Sequence, residues 1–286
     1  MALETQLDEL ASQSVEKTIE LLIEKGNIEV PILPEVANKT LIMAQSAESN
    51  AMDIANLIQS DQSLAGHVMR IANSAAYTPL ANLVSLQQAV ARLGMGIMSE
   101  IALTAAIGTK FFHTPGYDGY VETVWQHAIA TSQWAKEIAR HCRGNVEVAF
   151  LAGLLHSIGR PTTLQIILEQ AKSQQIALSE EKVHHLEDTF CQKVRDVVVS
   201  EWKMPALVVQ AISGFEEDDS VLASHQNAAI VSAAVSFANN MLDTENTDSE
   251  WLNLSTLTSL NLYEDDVEAL LAKTEIIKAR LQGLSS

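Results

Sequence analysis

The run VEVAFLAGLLHSIGR, residues 146–160, is apolar without a break from Val148 to Leu155 and then halts at a histidine. A segment hydrophobic on all sides reads as a helix enclosed by other helices, so this run predicts an all-α domain with a buried centre. Its end raises the functional question. A histidine followed directly by an aspartate would offer an imidazole and a carboxylate to a cation. Here His156 is followed by Ser157.

Working outward, three- and four-residue spacing dominates. Upstream, Val121, Val124, Ala128 and Trp134 lie along one amphipathic helix over about 121–142, which also carries His127. HTPGYDGY at 113–120 is a turn-rich joint. Before it, Asn50 with Asp53 and Ser85 with Gln88 have the spacing of capping boxes. Ser63 opens a helix with Leu64, Val68 and Ile71 on one stripe, and Gly94 and Gly96 break the chain. Pro31 and Pro34 impose an extended entry to the helix that follows them. The leading segment has an apolar stripe of Leu3, Leu7, Leu10, Val15, Ile19 and Leu22 and stops at Gly26 and Asn27. Such a stripe is core or, in part, a partner surface.

Downstream, VRDVVVSEW at 194–202 is β-branched but embedded among helical neighbours, and strand-like alternation is almost absent. A last helix over about 264–282 opens on Glu264, Asp265 and Asp266 and closes with Lys278 and Arg280, in keeping with the helix dipole. The expected fold is all-α in two packed helical lobes, 1–115 and 116–245. A C-terminal extension, 246–286, docks back on the bundle.

Composition narrows the function. The chain of 286 residues is 47% hydrophobic and carries a formal net charge of −18. The acid is spread evenly, with no basic segment to set against a phosphate backbone, so direct nucleic-acid binding is disfavoured. An anionic membrane surface is disfavoured for the same reason, and no run is long and apolar enough to span a bilayer. The first residues, MALETQLDELASQ, lack the apolar core of a signal peptide. The two cysteines, Cys142 and Cys191, lie far apart, which points to a reducing cytoplasm. Neither a glycine-rich nucleotide loop nor a nucleophile–base–acid arrangement is evident.

The segments LPEVANKTLIMAQS, LIQSDQSLAGHVMRIANSAAY and VSLQQAVARLG, followed by VWQHAIATSQWAKEIA, AFLAGLLHSIGR and AAVSFANNM, resemble the HDOD domain over about residues 30–240. HDOD domains are the non-catalytic branch of the HD phosphohydrolase superfamily. The resemblance implies a helical bundle in bacterial signal transduction. Metal-binding relatives use a first histidine, a His-Asp doublet and a later aspartate. These fall on His127, on His156 with Ser157, and on Asn239, so both carboxylates are replaced by neutral groups. The lysine common after the doublet becomes Arg160. Two histidine positions of the cyclic-dinucleotide-cleaving branch fall near Cys191 and near Gly214 and Phe215. PGYDGY at 115–120 precedes the doublet and only mimics that branch's signature. His184 and His185 read as surface residues. Asn73 and Ser74 belong to the HDOD-specific segment and read as a helix-ending turn rather than a ligand site.

The expectation is a non-catalytic regulatory module that acts as a helical protein-interaction scaffold. It would need no cofactor or metal and would meet signalling proteins in trans, with self-association left open. The alternatives are a divergent metal-dependent phosphohydrolase and a sensor of a small anionic ligand held near Arg160.

Overall fold

The structure is a computed structural model that describes residues 2–45, 50–78, 83–108, 111–243 and 254–285, and among these there is no strand. Five helices succeed one another after an N-terminal helix α1 (Ala2–Glu24): α2 (Glu35–Gln45), α3 (Ala51–Gln59), α4 (Gln62–Ala72), α5 (Leu86–Leu93) and α6 (Met95–Ala106). Helices α2 to α6 pack on one another. A second group follows: α7 (Asp118–His141), α8 (Val146–Leu155), α9 (Gly159–Ser173), α10 (Glu180–Glu201), α11 (Ala206–Gly214), the short α12 (Asp219–Leu222) and α13 (Gln226–Leu242). The chain ends in α14 (Leu254–Ser259), α15 (Glu264–Leu271) and α16 (Thr274–Ser285).

Local chemistry sets the boundaries. Asn50 and Asp53 form the expected reciprocal capping box on α3. The helix expected to open at Ser63 opens one step earlier, because Asp61 Oδ1 accepts the Leu64 N–H at 3.0 Å. Ser85 caps α5 through the Gln88 N–H, and the Gln88 side chain reaches back to the Val84 N–H. Gly94 turns the chain between α5 and α6 at φ +86°, a conformation that excludes most side chains. The β-branched run at 194–202 lies within α10, where burial of Val194, Val198 and Val199 overrides strand propensity. The single helix expected over 264–282 is two. Thr274 Oγ1 donates to the Leu271 carbonyl at 2.6 Å, and the helix is interrupted there.

Helix α7 is the axis of the molecule. It is buried continuously from Ala128 to Ala139 and packs on α8, α13 and α16. Its small residues let neighbours approach closely. A Cβ on Gly153 of α8 would stand 2.8 Å from Ser132 Cα of α7. Trp134 of α7 and Phe237 of α13, both fully buried, pack at 4.8 Å between ring centroids.

Among the described residues, the N-terminal helix packs mainly on the second group rather than on α2 to α6. Val15 and Ile19 are buried, and α1 lies on α9 and α10. Ser14 and Thr18 both bond Gln174, and Lys182 pairs with Glu9. The side chains of Leu3, Leu7 and Leu10 lie outside the described residues. The extended stretch after α1 is strapped to the end of α10 by the Trp202 Nε1–H, which donates to the Pro31 carbonyl at 2.8 Å.

Helix α16 packs on α6 and α7. Lys136 of α7, whose side chain is 4% exposed, pairs with Glu100 of α6. Next to it, the buried Glu137 carboxylate takes Arg140 at 2.5 Å, Lys273 at 2.7 Å and Arg280 of α16 at 3.0 Å. Burial opposes the Glu137 charge, and Lys273, Arg140 and Arg280 together outweigh it, so its carboxyl stays below the usual range. Burial pushes the Lys136 ammonium below its ordinary value despite Glu100.

Candidate functional site

Two close backbone contacts place the His-Ser pair. Gly153 seats α8 on α7, and Gly159 seats the start of α9 on α10, where a Cβ would stand 2.0 Å from the Cys191 carbonyl oxygen. Between them, His156 caps the end of α8, and Ser157 and Ile158 make the turn. Pro161 then lies in the first turn of α9, where its missing N–H costs nothing. The antiparallel return of α8 along α7 brings His156 back to His127, with ring centroids 5.4 Å apart.

The hydrogen bonds define the state of this pair. His127 Nε2 lies 2.9 Å from Asn239 Oδ1, at the exposed rim on α13. His156 Nδ1 lies 2.8 Å from the Gly153 carbonyl oxygen. Burial pushes the His156 pKa down to about 3, helped by the neighbouring His127 and by Arg195 and Arg160. Burial lowers His127 as well, with Arg160 adding to the effect. Both imidazoles are therefore neutral at neutral pH. His127, His156, Ser157 and Arg160 share one cavity of about 350 Å³, whose walls include Val124, Phe215 and Val235.

Arg160 does not face this cavity as a free cation. It bonds Glu187 at 3.1 Å, Asp188 at 3.0 Å and the Tyr120 hydroxyl at 3.3 Å. Glu187 is wholly buried on α10, and the Tyr120 O–H donates to it at 2.6 Å. Burial raises the Tyr120 hydroxyl pKa, and the Glu187 charge raises it further. His184 lies at the surface but is partly covered: its side chain is 33% exposed, its Nδ1 lies 3.2 Å from Glu187, and its ring packs against Tyr120 and Tyr117. His185 is exposed. Arg195, 6% exposed, lines the same cavity and is held by Glu216 at 2.8 Å and Asp196 at 3.3 Å. Its guanidinium also lies over the Phe215 ring at 5.5 Å.

Sequence reasoning missed Glu187, Tyr120, Arg195 and Glu216. One signal was present. Glu187 sits within the apolar stripe of Val183, Leu186, Phe190 and Val194, where an acid demands a buried partner. Asn73 and Ser74 lie apart from the cavity. Asn73 ends α4, and its side chain clamps the backbone of Leu83 at both the N–H (2.7 Å) and the carbonyl (2.9 Å). Ser74 packs against Gly283 of α16. Cys191 lines the cavity, and burial raises its thiol pKa.

The donor set does not suit a hard divalent cation. Two neutral imidazoles, a hydroxyl and an amide bring no formal charge, whereas such ions take carboxylate oxygens. His127 Nε2 and His156 Nδ1 are already engaged with Asn239 and Gly153. Among the described residues, no group of three or more His, Cys, Asp or Glu is arranged to hold a metal ion.

Comparisons with known proteins place these observations. Residues 30–217 match the HDOD domain family. An HDOD domain protein of unknown function from Geobacter sulfurreducens has the same fold, with a TM-score of 0.69 at 19% identity over 98% of each chain. A protein from Shewanella amazonensis SB2B, named as a candidate metal-dependent phosphohydrolase, superposes with a TM-score of 0.71 at 20% identity, covering 95% of this chain and 99% of that one. A candidate signal transduction protein from Marinobacter aquaeolei VT8 gives 0.66 at 23% identity over 98% of this chain and 66% of that one. An uncharacterized protein of Treponema pallidum (strain Nichols) is 22% identical over 191 residues, and the match spans 63% of this chain and 37% of that protein. Among the described residues, no helix is long and apolar enough to cross a membrane.

Proposed function

The chain belongs to the HDOD domain family, and from that premise we propose that it is a signal-transduction module working through contacts with other proteins rather than by hydrolysing phosphodiesters. The observation that carries this reading is the charge-free core of the cavity: His127 on Asn239, and His156 on the Gly153 carbonyl. Hydrolysis in the parent superfamily's manner needs a cation that lowers the pKa of a bound water. Here Ser157 and Asn239 stand where the resemblance puts that cation's carboxylates. Two facing carboxylates without a metal would repel each other and resist burial. Neutral groups let the bundle close without an ion. The signalling partners act in trans, in the cytoplasm, and the protein needs no cofactor for this role.

Manganese titration by calorimetry, together with hydrolysis of bis(p-nitrophenyl) phosphate, tests the reading. The wild-type protein should show neither stoichiometric manganese binding nor turnover. The double variant Ser157→Asp with Asn239→Asp should gain manganese affinity and should lose stability when a chelator is added. Either single variant should show less of both effects. Tight manganese binding by wild type at these histidines, or hydrolysis that depends on His156, overturns the proposal.

A further inference from the structure

Beyond the question of hydrolysis, we infer that the cavity beside His156 is a binding site for a small, uncharged molecule that donates an N–H or O–H to the imidazole. The first argument is the tautomer. The Gly153 carbonyl, 2.8 Å from His156 Nδ1, can only accept a hydrogen bond. Nδ1 therefore carries the ring proton, and Nε2 is a lone pair. His156 is 6% exposed and lines the cavity, so the polar group it offers there is an acceptor.

The second argument is charge. Arg160 and Arg195 both border the cavity and would seem to invite an anion. Each is already held by two carboxylates, Glu187 and Asp188 for the first and Asp196 and Glu216 for the second. Neither guanidinium is therefore free to pair with an anion. A phosphate or carboxylate entering here would find no unengaged cation and would meet the imidazole lone pair. A cation would have to sit beside two guanidinium groups. An uncharged ligand meets neither obstacle. Such a ligand thus differs from the alternative of an anionic one held near Arg160.

Shape supplies the rest. Val124 and Val235 give apolar walls, and the Phe215 ring stands edge-on to His156 with centroids 5.5 Å apart and planes at 86°. A volume of about 350 Å³ falls within the usual range for small-ligand pockets, roughly 300–1,000 Å³.

Three matched probes test the inference: indole, 1-methylindole, which lacks the donor, and indole-3-carboxylate, which adds a charge. Binding is read from the ring signals of isotope-labelled histidines by NMR. Indole should shift the His156 signals saturably. Loss of the donor should weaken binding about fivefold, the value of one net hydrogen bond, and the carboxylate should weaken it at least as much. Val235→Trp, which fills the cavity, should abolish the effect while the helical circular dichroism stays unchanged. Equal binding of indole and 1-methylindole, tighter binding of indole-3-carboxylate or inorganic phosphate, absence of saturation by indole, or binding that survives Val235→Trp each overturns the inference. No metal enters these measurements, so their outcome is separate from that of the manganese titration.

Discussion

Near the middle of α7, His127 packs against His156 beside a cavity; both imidazoles are neutral, one bonded to Asn239 and the other to the Gly153 carbonyl. Further along the same helix, Lys136 and Glu137 gather Glu100, Arg140, Lys273 and Arg280 into a largely buried ionic cluster. One helix thus carries a histidine pair without charge and a junction with charge concentrated. The junction joins the consecutive helices α6 and α7 to α16, which is far from both in sequence. Hydrophobic contact alone would tolerate several arrangements of α16, whereas three cations on one carboxylate tolerate few. Buried ion pairs are weak evidence for net stability, and a role in fixing one arrangement is the better-attested reason to keep them. The cavity has no such task, and unpaired charge there would only oppose folding.

The largest test of this contrast is at the junction. Glu100→Gln leaves the Lys136 ammonium, 4% exposed, without a counter-charge. Breaking a buried pair in this way should cost about 3–5 kcal/mol, measured by urea denaturation. The double variant Lys136→Met with Glu100→Gln should recover most of that loss, because the buried charge is then gone. If the double variant is as unstable as the single, the pair contributes more than mutual neutralisation.

Glu137→Gln should cost less, about 2 kcal/mol, since Arg140, Lys273 and Arg280 keep part of their hydration. Its pH dependence separates charge from packing. The Glu137 carboxyl lies below its ordinary value of 4.5 in the folded protein. Its contribution is therefore fully present above the unfolded pKa and is lost as pH falls through the lower folded one. The stability gap between wild type and Glu137→Gln should hold above the unfolded value of 4.5 and narrow progressively as pH falls below it. A gap that does not narrow in acid down to the lowest pH at which the protein stays folded would assign the loss to packing.

The cavity should respond to acid in a different window. His156 has a folded pKa of about 3 against an ordinary value of 6.5. A histidine lowered in this way favours the folded state above the unfolded pKa. As pH falls between the two values the unfolded chain binds the extra proton, and stability drops by about 1.4 kcal/mol per pH unit. His156→Phe should remove about one proton's worth of slope between pH 6 and 4.5, leaving the share due to His127. The slope is the readout, so a change in absolute stability from repacking does not obscure it. An unchanged slope would mean that His156 is protonated in the folded state.

The sequence showed the helices and the pairing of His127 with His156 and Asn239 because each rests on local spacing or on a family pattern. It did not show the partners of Arg160. Glu187 comes from another helix, and only the packing of α9 on α10 brings the two together. The partners of His184 were hidden for the same reason: Tyr117 and Tyr120, which cover part of it, come from a distant segment. The junction was invisible as a unit, since Glu100, Lys136 and Arg280 are unremarkable alone. The docking of α1 on α9 and α10 was hidden because an apolar stripe does not say which lobe it covers.

The smallest expected effect lies at the uncharged edge of the same junction, where α4 meets α16. Asn73 and Ser74 are adjacent and were singled out together, yet their environments predict opposite results. Asn73 makes both a donor and an acceptor bond to Leu83. Asn73→Ala strands a backbone N–H and a carbonyl, and it should cost about 1–3 kcal/mol. Ser74 Oγ is buried with no hydrogen-bond partner among the described residues and lies where a Cβ on Gly283 would approach within 2.8 Å. An unsatisfied buried hydroxyl opposes folding, so its removal offsets the loss of its small contact area. Ser74→Ala should therefore leave stability within about 0.5 kcal/mol of wild type. It should also let Gly283→Ala be tolerated better than in the parent, because the atom the new methyl would strike is gone. Melting curves of the two single variants and the double close this cycle. If Ser74→Ala costs as much as Asn73→Ala, Ser74 holds α16 through a bond, and the junction's fixing of that helix is shared between charge and this hydroxyl.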